Sequence, residues 1–419
     1  MTEDFRGDLP LTGGPEAVTA AADDFGHIIH RVPSLVAFPA CAGAVASVAR
    51  YANRDGRALV PRGAGHSVYG QGQSDGGIIC DMTRLDTVTV EDGRTISAGA
   101  GARWSTVLEA ALAQGMTPPV LTDYLELTVG GTLAAGGIGG ASHVHGPVTD
   151  HVRELEVVTP AGERVTCSAG RDPDVFFGAL GSGGSGGIIT RATLPLIPAP
   201  RRVTVYRVPY PDVGTLMNAQ LTLAREGRFG YIEGQIMPAG DGKWSFAAEI
   251  ALFPGADHSP EAASPYALPR GAETEDMSYR DFCHRMAPGV RLLAETGDWY
   301  RPHPWFSAFL PARAAVQYVN AALAGLTPAT TGPLPTLLYP LRRGPVPAPT
   351  LVTPARDELF FAFTILRTTA TEAGLAEALA GNERLARAAS AAGGTVYGIS
   401  ACPAPQNRRP GAVPAAPKS

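Results

Sequence analysis

Three glycine-rich stretches constrain this chain more than any other feature: RGAGHSVYGQGQ at 62–73, LTVGGTLAAGGIGGASHVHGPVTD at 127–150 and GSGGSGG at 181–187. Glycine weakens a helix or strand interior, but it lets the chain turn tightly and lets backbone approach a ligand with no Cβ in the way. Successive N–H groups in such stretches form concave nests for phosphate oxygens. One stretch alone reads as turn residues, whereas three in one region point to a long cofactor laid along loops. Neither the first nor the third is a P-loop, because no Gly-Lys-Ser/Thr follows. The third opens an apolar, strand-like run, IITRATLPL, and not a helix, so it also lacks the geometry of a Rossmann dinucleotide turn.

With 419 residues the chain is long enough for two domains with substantial cores. Its 34 basic and 39 acidic residues leave a formal charge of −5, with no basic footprint for nucleic acid or an anionic membrane. A small-molecule partner is expected. The five cysteines are odd in number and widely spaced, which argues against a disulfide framework or a structural zinc. The acidic start lacks a secretory pattern and no apolar run is long enough to span a bilayer, so a cytoplasmic protein is expected.

Period and turn residues read as an α+β fold. A β-α-β opening runs from SLVAFPA through AGAVASVARYANRDG to ALVPRG. A turn at Asp92-Gly93, the helix WSTVLEAALAQG and a hairpin turning at Ala161-Gly162 follow. The reading divides the chain into residues 1–198, residues 199–395 with alternating strands and helices, and an unpacked tail at 396–419. The second and third glycine stretches and SHVHGP are read as loops.

PRGAGHSVYGQ, TDYLELTVGGTLAAGGIGG, HGPVTDHVRELEVVTPAGERVTCS and GALGSGGSGGIITRATL occur in the order seen in cytokinin dehydrogenases. These belong to the FAD-linked oxidases resembling vanillyl-alcohol oxidase. GYIEGQI, RPHPWFSAFLP and GPLPTLLYPL resemble landmarks of the substrate domain in the same branch, and the likeness covers about residues 30–398. The resemblance implies a two-domain PCMH-type FAD-binding fold with a cytokinin-dehydrogenase-like α+β substrate domain. It implies FAD, covalently held by His66 through the C8 methyl of the isoalloxazine. Pro61, Gly63, Gly65, Ser67, Gln71, Asp123, Thr128, Ala134, Ile138, Ile188 and Tyr397 match cofactor-contact positions. Asp123 matches the catalytic aspartate. Glu233 matches an acidic residue at the substrate entrance, a solvated strand carboxylate being the other reading, and Trp305 either lines the cavity or fills the core.

The implied reaction is oxidation of the N6 side-chain amine of an isoprenoid adenine, giving adenine and an unsaturated aldehyde after imine hydrolysis, with oxygen or a quinone as acceptor. A carboxylate that accepts the amine N–H hydrogen bond pushes electron density toward the carbon losing hydride. Two alternatives remain open on sequence: a flavin oxidase of another small amine or alcohol, and a catalytically weak FAD-binding relic. The departures motivate them. Ala134 replaces the family's serine, Val144 stands where an arginine is usual, and Gly398 replaces a leucine. The segment after Tyr397 lacks the family's closing proline-glycine-glutamine motif, so the contact closing over the flavin is expected to be missing. His143 and His145 have no further ligand cluster beside them, and no metal is expected.

Overall fold

The computed structural model describes residues 9–240, 242–253, 271–332, 334–344 and 357–403. Residues Leu35–Ala37, Ile78–Asp81 and Leu59–Arg62 form a parallel set, edged by Leu11–Thr12. Helix Ala42–Arg54 supplies the crossover. It buries Val45, Ala46, Val48, Ala49 and Ala52, the i, i+3, i+4, i+7 stripe that puts one helix face on the sheet. An antiparallel sheet follows, ordered Val88–Val90, Thr95–Gly99, Ile188–Pro195, Glu154–Val158 and Arg164–Cys167. The expected turns fall where glycine takes positive φ, at Gly93 (+71°) and Gly162 (+80°).

The second half is built on an eight-stranded antiparallel sheet. Its order is Glu273–Ser278, Arg202–Tyr210, Lys243–Leu252, Tyr231–Ala239, Thr336–Arg342, Leu359–Ile365, Phe306–Pro311 and Thr395–Val396. Helices Val213–Glu226, Ala312–Ala324 and Glu372–Ala391 pack on it. Asp212 caps the first by accepting from the Thr215 N–H at 2.8 Å, and Gly227 at φ +69° ends it.

Strand alternation decides which residues meet the first half. Ile232, Ile236 and Leu338 pack into the core under the helices, so Tyr231, Glu233 and Tyr339 point the other way. Tyr231 joins the core of the first half, and Tyr339 packs with Tyr397 in a small cluster that also touches Ile138 of the second glycine stretch.

Three expectations are corrected. The second glycine stretch is not all loop: Thr128 caps a helix, Val129–Ala135, that Gly136 ends. Gly130 is needed there because a Cβ would sit 2.7 Å from the Cβ of Ala100. SHVHGP also contains a helical turn, Ser142–His145, anchored where Ser142 Oγ accepts from the Gly139 N–H at 3.1 Å. Residues 396–403 are not an unpacked tail. Tyr397, Ser400 and Ala401 are buried, because the Ala401 N–H donates to Trp305 O at 2.8 Å and Asn382 Nδ2 donates to Ala401 O at 2.7 Å. The expectation for residues 404–419 lies outside the described residues.

Candidate active site

The three glycine stretches converge. A Cβ on Gly63 would lie 2.0 Å from Thr128 Oγ1, and one on Gly184 would lie 3.2 Å from Pro61 Cγ. The Gly181 and Gly183 N–H groups donate to Leu133 O and Ala134 O, each at 2.8 Å. Thr128 Oγ1 caps its helix by accepting from the Gly131 N–H. Ile188 starts the buried strand that leaves the third stretch. The residues after Tyr397 reach the same place: Gln71 Nε2 donates to Gly398 O at 3.3 Å and Ser400 O at 3.4 Å, and the Gly137 N–H donates to Tyr397 Oη at 3.3 Å.

Asp24, which sequence reading passed over, organises the first stretch. Its carboxylate accepts from Ser67 Oγ at 2.9 Å, from the Gly70 N–H at 2.8 Å and from the Gly26 N–H at 3.1 Å. Burial raises its proton affinity against those bonds. Ser67 therefore spends its hydroxyl hydrogen inside the protein. Gly65 takes φ +69°, and a Cβ there would lie 2.5 Å from Arg62 Nη2. Arg62 Nη1 is buried without a hydrogen-bond partner, and burial lowers the guanidinium's proton affinity. A guanidinium with one buried, unpartnered N–H group over a glycine nest suits a diphosphate, so these residues fit the expected FAD.

His66 faces a cleft of about 420 Å³ lined also by Arg62, Gly65, Tyr124 and Trp299. Its ring stacks on Phe25 at 4.0 Å between centroids and lies 4.8 Å from Tyr124 and 5.7 Å from Trp305. Burial, reinforced by His303, lowers its proton affinity to a pKa of about 3, so the imidazole is neutral at physiological pH. No hydrogen bond is among the causes of that shift, which are burial and His303. A neutral ring with a free lone pair is the nucleophilic form. Trp305 sits edge-on to His66 and Phe25, with Nε1 buried and unpartnered.

One residue from Tyr124, the Asp123 side chain turns toward the large sheet. Asp123 Oδ1 accepts from Tyr231 Oη at 2.8 Å and Arg285 Nη2 at 2.8 Å, and Oδ2 accepts from Tyr339 Oη at 2.7 Å. Tyr231 Oη also lies 2.8 Å from Glu233 Oε2, and Gln235 Nε2 donates to Glu233 Oε1 at 2.8 Å. Glu233 is 5 % exposed, so it is not a carboxylate on a solvated strand; its neighbours Ile232 and Gly234 face the helices instead. Burial, with the Asp123 charge next, raises its pKa to about 7.

The proton count follows. Tyr231 has one hydroxyl hydrogen for two carboxyl groups. When Glu233 is protonated it donates to Tyr231 Oη, and the Tyr231 hydrogen is free for Asp123, so every oxygen is satisfied. Gly140 permits this packing: a Cβ there would lie 2.3 Å from Tyr231 Cε2.

The structure thus brings together Pro61, Gly63, Gly65, His66, Ser67, Gln71, Thr128, Ala134 and Ile188 on one side, and Asp123 and Glu233 on another, with Ile138 and Tyr397 between the halves. Sequence reading missed Asp24, Arg62, Tyr231, Arg285 and Tyr339. Alternation around Glu233 would have found Tyr231, but Arg285 carries no local signal. His143 is buried between Gly140 O and Phe229 O, and among the described residues no group of three acidic, histidine or cysteine side chains is placed to hold a metal. All five cysteines are free thiols. No helix among the described residues is long and apolar enough to cross a membrane.

Residues 33–168 match the model of an FAD binding domain, and residues 268–397 match the model described as cytokinin dehydrogenase 1, FAD and cytokinin binding. An uncharacterised oxidoreductase from the fasciation locus of Rhodococcoides fascians is 36 % identical over 92 % of this chain and 89 % of its own length. Cytokinin dehydrogenase 6 of Oryza sativa subsp. japonica is 33 % identical over 84 % of this chain and 76 % of its own. The fold is that of 6-hydroxy-D-nicotine oxidase from Arthrobacter nicotinovorans, with a TM-score of 0.71 at 20 % identity over 93 % of this chain and 87 % of that one. Together with the converging glycine stretches, these likenesses show that the chain is an FAD-binding oxidoreductase of the cytokinin dehydrogenase family.

Proposed function

We propose that the protein oxidises the N6 side-chain amine of isoprenoid adenines. The observation that carries this is the Asp123 carboxylate, held by Tyr231, Tyr339 and Arg285 where the two halves meet, one residue from the ring that packs on His66. Asp123 accepts the amine N–H hydrogen bond and polarises nitrogen toward the side-chain carbon. FAD, when held by the glycine stretches, would supply the hydride acceptor for that carbon. The product imine is hydrolysed by water to adenine and an unsaturated aldehyde, and oxygen or a quinone is the final acceptor.

His66 is proposed as the covalent anchor: its neutral ring nitrogen would bond to the C8 methyl carbon of the flavin once that methyl has lost a proton, the ring system taking up the two electrons and passing them to the acceptor, with Pro61, Gly63, Gly65, Ser67, Gln71, Thr128, Ala134, Ile138, Ile188 and Tyr397 around the cofactor. Ser67 and Gln71 act there through backbone, since their side chains are engaged with Asp24 and the residues 398–400. Glu233 is proposed as the proton-holding partner of the site, and Trp305 as the wall beside His66. The division at 198/199 into cofactor and substrate domains is part of the same reading.

Anaerobic titration with N6-isopentenyladenine tests it. The wild-type flavin absorbance bleaches, and Asp123→Asn keeps its flavin while its reduction slows at least about 100-fold, the lower end of what general acid–base groups contribute. Bleaching only by another amine or alcohol rejects the substrate. Unchanged reduction in Asp123→Asn removes Asp123 from the chemistry, and a protein that stays colourless with added FAD is a relic.

A further inference from the structure

We infer that Arg285 is a positioning residue that orients Asp123 so that Oδ2, and not Oδ1, receives the substrate N–H. This rests on the role proposed above for Asp123. A carboxylate oxygen has two acceptor lone pairs. Both of those on Oδ1 are taken, by Tyr231 Oη and Arg285 Nη2 at 2.8 Å each. Among the described residues Oδ2 accepts from Tyr339 alone, at 2.7 Å, which leaves one site open.

The guanidinium cannot rotate away from this arrangement. Its Nε donates to Glu249 Oε1 at 2.8 Å, its Nη1 to Phe282 O at 3.2 Å, and its Nη2 to Asp123 and to Tyr231 Oη. Its carbon sits 4.6 Å from the Tyr231 ring centroid and 4.4 Å from that of Phe282, so aromatic rings flank the planar fork. Glu249 is itself fixed, paired in register with Glu233 on adjacent strands. Arg285 therefore spans from a strand of the large sheet to the residue beside the His66 cluster. The charged and titratable groups facing it are Asp123, Glu233, Glu249, Tyr231, Tyr279 and Cys283, with Arg207 beyond at 3.7 Å from Glu249. A lysine would supply the charge but not two separate donors in one plane.

The test uses the flavin-loaded full chain and the variants Arg285→Gln, Arg285→Lys and Asp123→Asn. Reduction by N6-isopentenyladenine is followed by anaerobic stopped flow from pH 5 to 9, separating the saturating rate from the dissociation constant. In Arg285→Gln the saturating rate is expected to fall at least about 100-fold, with the dissociation constant within about threefold of wild type. The acid limb of its rate profile moves to higher pH, because a positive charge beside the carboxylates is gone. Arg285→Lys is expected to recover about a tenth of the wild-type rate and to return the limb toward its wild-type position.

A second readout is independent of turnover. Arg285 eases the ionisation of Glu233, so the melting temperature of Arg285→Gln should fall more steeply with rising pH than that of the wild type. If Asp123→Asn loses reduction while Arg285→Gln keeps a wild-type rate and an unmoved limb, this inference alone is overturned. If Asp123→Asn reduces normally, the underlying reading fails and this one with it. If Arg285→Gln does not fold, a wild-type rate in Arg285→Lys overturns the inference and an intermediate rate supports it. If another amine or alcohol bleaches the wild type, that compound replaces the probe and the same ratios decide the matter.

Discussion

Replacing Glu233 with glutamine tests the buried network through stability. In the unfolded chain a glutamate releases its proton near 4.5, whereas the folded environment holds it to about 7. Between those values the folded state binds more protons than the unfolded one, so stability falls as pH rises. The benefit is fully present below about pH 4.5 and is gone above about pH 7. At about 1.4 kcal/mol per unit of pKa difference, the loss is about 3 kcal/mol. Glutamine keeps the shape and, through its Nε2 hydrogens, the donor to Tyr231 Oη, but cannot ionise. Glu233→Gln should therefore remove this slope and gain about 3 kcal/mol relative to wild type on going from pH 4.5 to pH 8. For a chain of this length that is a relative rise of about 3 °C in melting temperature. Differential scanning calorimetry of the two flavin-loaded proteins from pH 4.5 to 8.5 measures it. Parallel curves would refute both the buried proton and the count that leaves the Tyr231 hydrogen for Asp123.

His66→Ala should still bind FAD through the converging glycine stretches but release all of it on acid precipitation; flavin that stays with the precipitated variant rejects His66 as the anchor. Gly140→Ala would force Tyr231 aside, since the new Cβ falls 2.3 Å from its ring. Flavin content should be kept and the rate of substrate reduction should fall about tenfold or more, and an unchanged rate would mean that Tyr231 does not hold Asp123 in place. Gly63→Ala drives a Cβ to 2.0 Å from Thr128 Oγ1 and should cost about 2–4 kcal/mol and lower flavin occupancy. Adding Thr128→Ala should recover part of that loss, and no recovery in calorimetry would place the strain elsewhere. Asn382→Leu removes the donor to Ala401 O and should lower stability by about 3 kcal/mol, read by denaturant titration; a loss under about 1 kcal/mol would show that this bond does not hold residues 397–402 against the first glycine stretch.

The elements with strong periods were legible before any coordinates. The amphipathic stripe of Ala42–Arg54, the hairpin turns at Gly93 and Gly162 and the strand after the third glycine stretch all rest on local rules, namely which face is apolar and where φ must be positive. Two short helices in the second glycine stretch, Val129–Ala135 and Ser142–His145, were not legible. In Val129–Ala135 glycine serves close packing against Ala100 and not a loop, and propensity cannot tell these uses apart. The packing of residues 397–402 was hidden for a related reason. Few of those residues are large and apolar; their burial depends on bonds to Trp305, Asn382 and Gln71, far away along the chain.

Sequence alone singled out the three glycine stretches, His66 within the first, and Asp123 and Glu233 as two separate acidic groups of interest. These are carried by short motifs whose residues are neighbours in the chain. What each group does was decided only by the tertiary structure. Folding buries Glu233 beside Asp123 and so raises its hold on a proton, and it packs His66 among aromatic rings, which keeps the imidazole neutral. It also delivers Arg285, 162 positions beyond Asp123, to the same carboxylate. Proton affinity and carboxylate orientation depend on distance and burial in space, and no spacing along the chain encodes either.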